Sequence, residues 1–158
     1  MRSTVSRDGL TVMESYSPKF HDRTVENARW ADFTVAFAVD FTSPGERLTA
    51  TAAGEEYLPF DLPHSGEELE DEGLRRRMAT ILARRLESRM GPVRLNVAGS
   101  TAADLSRHGI SQEQADAFVT DVLGRAVDEG LRIQELRTGG QSGIDEAGTK
   151  AALALGIP

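Results

Sequence analysis

"LRIQELRTGGQSGIDEAGTKAALALGIP", Leu131 to Pro158, is the stretch on which the fold turns. Leu131 to Thr138 reads as an extended run, and Gly139, Gly140 and Gly143 punctuate a turn. An alanine-rich segment from about Ile144 to Leu155 then has the composition of a helix that Gly156 ends. Upstream, "VRLNVAGS" (Val93 to Ser100) alternates Val93, Leu95 and Val97 and closes in a small-residue turn, the pattern of a strand. Ser111 and Gln114 form a capping box, and Ala115, Phe118, Val119, Val122, Leu123 and Ala126 recur at helical spacing until Gly130. Residues 93–158 therefore read β-α-β-α. Short connections and right-handed crossovers make such strands parallel, in a sheet covered by helices.

The chain before Val93 is read from the same signals. "FTVAFAVDF" (Phe33 to Phe41) has period two, with Phe33, Val35, Phe37, Val39 and Phe41 on one face and Thr34, Ala36, Ala38 and Asp40 on the other. "TSPGE" offers turn chemistry before a second extended run, Arg47 to about Ala52, so the pair reads as an antiparallel β-hairpin. Glu55 to Pro63 reads as an edge strand because Pro59 has no amide to donate. Ser65 and Glu68 start a helix expected over 65–91, with Leu69, Leu74, Met78, Ile81, Leu82, Leu86 and Met90 at helical spacing. Residues 1–30 are polar and weakly periodic, a loose segment with one short strand around Leu10 to Met13. The expected architecture is α/β: one domain over 31–158, a Rossmann-like three-layer sandwich with a parallel C-terminal half and an N-terminal antiparallel β-hairpin addition over 31–64.

Composition narrows the function classes. A chain of 158 residues buries about 68–70% of its unfolded surface as one domain, so no staple is required. Cysteine is absent, which removes disulfides, thiolate metal sites and a cysteine nucleophile, and a cytoplasmic location is expected. No run approaches the roughly 18 apolar residues of a membrane span, and the first residues lack an apolar signal core; no membrane association is expected. The formal net charge of −7 argues against nucleic acid as a partner, because that affinity needs a basic face. The cluster Arg75, Arg76, Arg77, Arg84, Arg85 and Arg89 lies along the expected helix and reads as its solvated flank.

The chemistry concentrates at two turns. In an open parallel sheet ligands bind at the carboxyl ends of the strands, where the "AGST" and "TGGQSGIDE" turns both lie. Glycines let backbone amides close on an anion and adopt the dihedrals of a nest, and the free amides of a helix start add positive partial charge. The ligand-binding candidates are Gly99, Ser100, Thr101, Thr138, Gly139, Gly140, Gln141, Ser142, Gly143 and Asp145. Asp145 and Glu146, in the first turn of the last helix, are the catalytic candidates; each also suits the helix dipole without any ligand.

"LNVAGS", a helix, a strand and "RTGGQSGIDEAGTKAALALGIP" together resemble the Rossmann-like SLOG superfamily, which groups DNA-processing SMF proteins with LOG phosphoribohydrolases. The likeness is nearest to its molybdenum-cofactor carrier-like branch, through T-G-G-Q-[ST]-G-[IV]-D at Thr138–Asp145 and G-I-P at Gly156–Pro158. It covers about the last 65 residues. The resemblance implies a nucleotide-derived ligand across the two turns, with Gly99, Ser100, Gly139, Gly140, Ser142 and Gly143 facing phosphate and Asp145 addressing the sugar. It also implies pairing of two copies through helices, and a further strand beyond Pro158, or the N-terminal hairpin in its place, to complete the sheet. The phosphoribohydrolase pattern is departed from at Thr138, where it has proline, and at Ile144, where it has threonine.

His21, His64 and His108 fall in three separate stretches without metal-ligand spacing, and no metal is assigned. His108 with Arg107 follows the "AGST" turn towards the cleft, Asp40 ends the first hairpin strand, and Trp30 reads as a lid on the core. The leading reading is binding of a small phosphorylated, nucleotide-derived ligand such as AMP, ADP-ribose or a phosphorylated cofactor. Hydrolysis of a nucleotide or its N-glycosidic bond through Asp145 or Glu146 is the enzymatic alternative. A protein-interaction module with an exposed strand edge is the third.

Overall fold

A computed structural model describes residues 4–7, 10–13 and 20–158 of the chain. Strands β1 (Thr4–Arg7) and β2 (Leu10–Met13) pair antiparallel as a two-stranded sheet of their own. Helix α1 (Phe20–Trp30) leads into β3 (Phe33–Ala38), α2 (Pro44–Ala53) and β4 (Tyr57–Asp61). Then come α3 (Gly66–Leu69), α4 (Glu72–Leu86), β5 (Val93–Gly99), α5 (Ala102–Arg107), α6 (Gln112–Asp128), β6 (Ile133–Arg137) and α7 (Ile144–Leu155). The main sheet has the order β4-β3-β5-β6 and every pair in it is parallel. The fold is a Rossmann-like three-layer α/β sandwich.

Two faces of this sheet differ in chemistry. Phe33, Val35 and Phe37 of β3, with Leu95 and Val97 of β5, form the apolar core under α4, α6 and α7. Phe37 stacks on Phe60 at 5.5 Å between centroids and meets Phe118 of α6 edge-on at 5.8 Å. Such aromatic pairs contribute about 0.5–1.5 kcal/mol beyond their buried area. The other face presents Thr34, Ala36, Ala38, Asn96 and Ala98 to α1 and α2. Every residue of β3 is buried, so its two-residue period separates large from small side chains rather than inside from outside.

Three expectations are corrected. Arg47 to Ala52 is helix, not the return strand of a hairpin: Ser43 caps α2 by accepting the Glu46 amide, and Pro44 sits at the first helical positions, where its fixed dihedral suits a helix start. β3 consequently pairs with β4 and β5, both in parallel. Residues 20–30, expected to be loose, form α1; the short strand at Leu10–Met13 is present as β2, while 14–19 lie outside the described residues. The single helix expected over 65–91 is two, because Asp71 caps a new start by accepting the Leu74 amide, and α4 ends at Leu86.

β4 is an edge strand, where Pro59 costs no ladder bond on its solvent side. Among the described residues no helix is long and apolar enough to cross a membrane. The chain from β3 turns one way to β4 and crosses back to β5, so the connections after neighbouring β3 and β5 leave in opposite directions. That divergence opens a crevice at their carboxyl ends.

Candidate functional site

The crevice is a cavity of about 250 Å³. Thr24 and Asn27 of α1, Ser43, Gly45, Glu46 and Thr49 around the start of α2, and Asn96, Ala98 and Gly99 of β5 line it. Thr101 and Asp104 at the start of α5, Gly139 and Gln141 of the turn after β6, and Asp145 of α7 complete it. Most of these residues carry a hydroxyl, amide or carboxyl group, since α1 and α2 cover the polar face of the sheet.

The two turns read from the sequence touch each other. Thr101 and Gly143 form an antiparallel bridge, and the Ile144 amide donates to the Ser100 carbonyl at 3.0 Å. A β-carbon at Gly143 (φ +98°) would overlap the backbone of Ser100 and Thr101, and one at Gly99 would overlap the Phe37 carbonyl. Close backbone approach is what these glycines permit.

The amides of Gly140, Gln141 and Gly143 in the glycine turn have partners within the protein. Gln141 donates to Asp145 Oδ2 at 3.3 Å, and the Gly139 amide acts on the same carboxyl, pulling its pKa down. Gly140 donates to Thr138 Oγ1 at 3.3 Å. The Gln112 side chain clasps the Gly143 residue, accepting from its amide at 2.7 Å and donating to its carbonyl at 2.9 Å. Asp145's own carboxylate thus occupies the place that the nest geometry offers to an anion.

Of the candidates from the sequence, Gly99, Thr101, Gly139, Gln141 and Asp145 line the cavity; Ser100, Thr138, Gly140, Ser142, Gly143 and Glu146 do not. Ser100 is buried and its hydroxyl accepts the Val39 amide at 3.0 Å, tying the β5 turn to the end of β3. Thr138 offers its carbonyl to Asn27 Nδ2 at 3.2 Å, which fastens α1 over the cavity. Gly140 and Ser142 are exposed, and Glu146 faces Lys150 at 3.8 Å.

Glu46 is the residue that the sequence pattern conceals. The residue is nine-tenths buried, and its Oε2 is buried with no hydrogen-bond partner. Burial first, then the negative charges of Asp145, Asp104 and Asp40, push its pKa up to about 7. Burial also raises Asp145 to about 6, against the opposing pull of the Gln141 and Gly139 amides and of Arg23. Tyr57, whose hydroxyl is buried without a partner, is pushed up to about 12 by burial and by Glu46. The signal that points to Glu46 is Ser43-Pro-Gly-Glu46, a helix-start pattern as well as a turn.

The remaining candidates lie outside the cavity. His64 and His108, far apart in sequence, bring their rings to 4.3 Å; His64 Nε2 donates to the Val39 carbonyl and His108 Nδ1 to that of Asp104, each at 3.0 Å. His21 belongs to α1, and Arg107 pairs with Asp104. Exposed Asp40 accepts the Thr42 hydroxyl and amide, which hold it below the usual carboxylate range. Trp30 carries Arg137 over its ring at 3.9 Å. Comparison with family models, with curated proteins and with solved structures returns no match for this chain.

Proposed function

We propose that this chain binds a nucleotide-derived ligand by its sugar, in the cavity at the carboxyl ends of β3, β5 and β6. The observation that supports it is the lining: neutral hydroxyl and amide groups surround the carboxyls of Glu46, Asp104 and Asp145. Ribose hydroxyls donate to carboxylates, and acidic residues at such sheet edges address them. The cavity is smaller than the roughly 300–1,000 Å³ of sites that engulf a whole drug-sized ligand, which matches a pentose with its base or phosphate outside. A phosphate in the glycine turn is less favoured, because the amides of Gln141, Gly140 and Gly143 are bonded to Asp145, Thr138 and Gln112.

Calorimetric titration with adenosine, AMP, ADP-ribose and dideoxyadenosine tests this reading. The three hydroxylated ligands are expected to bind, and removal of the ribose hydroxyls to weaken binding at least tenfold, as loss of a charge-assisted bond does. A folded sample that binds none of them at millimolar concentration overturns it.

A second reading, cleavage of a glycosidic bond, is supported by Glu46 and Asp145 having pKa values of about 7 and about 6, the range in which acid and base catalysts work. It shifts the catalytic pair from Asp145 and Glu146 to Asp145 and Glu46. Turnover that Asp145→Asn and Glu46→Gln each abolish in a folded protein is the expected outcome; turnover unaffected by either removes this reading.

A further inference from the structure

The carboxyl of Glu46 has a ready structural use that it does not take. Ser43 and Glu46 have the spacing of a capping box, and Ser43 Oγ accepts the Glu46 amide. At the start of α6 the same spacing closes fully: Ser111 Oγ accepts the Gln114 amide, and Gln114 Oε1 accepts the Ser111 amide at 3.0 Å. At α2 the reciprocal bond is not made. Glu46 instead joins the cavity lining, nine-tenths buried, with Oε2 unpartnered. A buried carboxyl oxygen without a partner forfeits its hydration with nothing in exchange, so it is a group that a ligand completes.

The charges around Glu46 specify what completes it. Asp145 of α7, Asp104 of α5 and Asp40 after β3 act on it, all negative; from β4 the Tyr57 hydroxyl faces it, uncharged at neutral pH. Arg23 of α1 acts on Asp145 and is not among the charges that act on Glu46. Among the described residues no group of three histidine, aspartate or glutamate side chains is arranged to hold a metal ion.

We propose that Glu46 receives a positively charged nitrogen of the ligand, so that the cavity selects a cationic sugar or sugar derivative over its neutral counterpart. This rests on the sugar-binding reading and adds a charge to it. The ammonium donates to Oε2, relieves the mutual repulsion of Glu46, Asp145 and Asp104, and holds Glu46 in its ionised form. Binding is then linked to a proton: affinity for the cation rises with pH as Glu46 ionises, through about 7, and is lost as Glu46 gains its proton below that.

The test is titration with iminoribitol, whose ring nitrogen is a protonated amine, and with anhydroribitol, the neutral ether with the same hydroxyls. At about pH 8 the cation is expected to bind at least tenfold more tightly, a preference that shrinks towards pH 5 and is largely lost in Glu46→Gln. The pH series on the unaltered protein carries the test if that variant fails to fold. Equal affinities overturn the charge inference and leave the sugar reading standing; absence of binding by both overturns both. A preference that persists in folded Glu46→Gln overturns the assignment to Glu46.

Discussion

The two faces of the sheet are built on opposite terms. Under α4, α6 and α7 lie Phe37, Phe118, Leu82, Leu95 and Val97, each at 0% exposure. Under α1 and α2 lie Thr34, Ala36, Asn96 and Ala98, with Asn96 Nδ2 donating to Thr34 Oγ1 at 3.3 Å. The buried side-chain polar atoms without a hydrogen-bond partner among the described residues belong to Arg23, Glu46, Tyr57 and Arg137, the last ion-paired with Glu135 at 3.7 Å. Arg23 and Glu46 sit on α1 and α2, while Tyr57 and Arg137 stand in register with Thr34 and Asn96 on neighbouring strands. All four fall on the polar side. One face carries the packing that holds the fold, and the other carries the unmet hydrogen bonds, of which the one at Glu46 lies in the cavity lining.

The largest effect is expected at the apolar face. Phe118→Ala removes the edge-on partner of Phe37 and the ring beneath Arg75, whose guanidinium lies 5.8 Å from the ring centroid. A loss of about 3–5 kcal/mol is expected in urea unfolding, the range for a buried aromatic truncated to alanine. A loss below about 1 kcal/mol would place the stabilising core elsewhere.

On the polar face a substitution is expected to stabilise. Glu46 has its pKa raised from 4.5 to about 7, so the folded state binds its proton more tightly than the unfolded state does. Its contribution is therefore fully present below about pH 4.5 and is lost as pH rises through about 7. Asp145, raised to about 6, acts in the same sense. Glu46→Gln, which mimics the protonated form, is expected to stabilise the protein by roughly 3 kcal/mol at pH 8 and to be neutral near pH 4, from the shift at 1.36 kcal/mol per unit. Thermal unfolding across this pH range checks the sign, and a gain that does not depend on pH contradicts a buried, repelled carboxylate as its cause.

The same contrast explains what is legible in the sequence. β5, α6 and α7 are readable because each lays large or small apolar residues against the apolar face, as with Leu95 and Val97 or Phe118 and Val122. α1 is not, since a helix that covers Thr34 and Asn96 needs no apolar stripe, and Thr24 and Asn27 on its inner side resemble loop residues. At α2, Pro44 and Gly45 are turn residues and also tolerated in a helix's first turn, while Thr49 and Thr51 mimic strand alternation. Glu46 is hidden by the same ambiguity. The convergence of the two glycine turns follows from their places after parallel strands; that Asp145 and Gln112 fill the turn's amides depends on contacts between residues as far as 31 positions apart, beyond the reach of any local pattern.

The turn after β6 differs from α2, because Asp145 and Thr138 are hydrogen-bonded where Glu46 is not. At about pH 5, where Asp145 is largely protonated, Asp145→Ala leaves the Gln141 amide without its acceptor, for an expected loss of about 1–3 kcal/mol that shrinks as pH rises through about 6, and frees that amide for an added anion. Sulfate is expected to restore stability to Asp145→Ala more than it affects the unaltered chain; identical sulfate responses would mean that the carboxylate does not stand in for an anion.

The smallest expected effect lies at the seam between the faces' functions. Asn27 reaches from α1 to the Thr138 carbonyl and lines the cavity without carrying charge. Asn27→Ala deletes one partly buried hydrogen bond and is expected to cost about 0.5–1.5 kcal/mol in unfolding experiments. Because that bond fastens α1 over the cavity, amide hydrogen exchange in 20–30 is expected to accelerate, while α6, on the apolar side, keeps its protection. Uniform acceleration in both helices would mean that the two faces open together, and that the polar side has no independent freedom with which to admit a ligand.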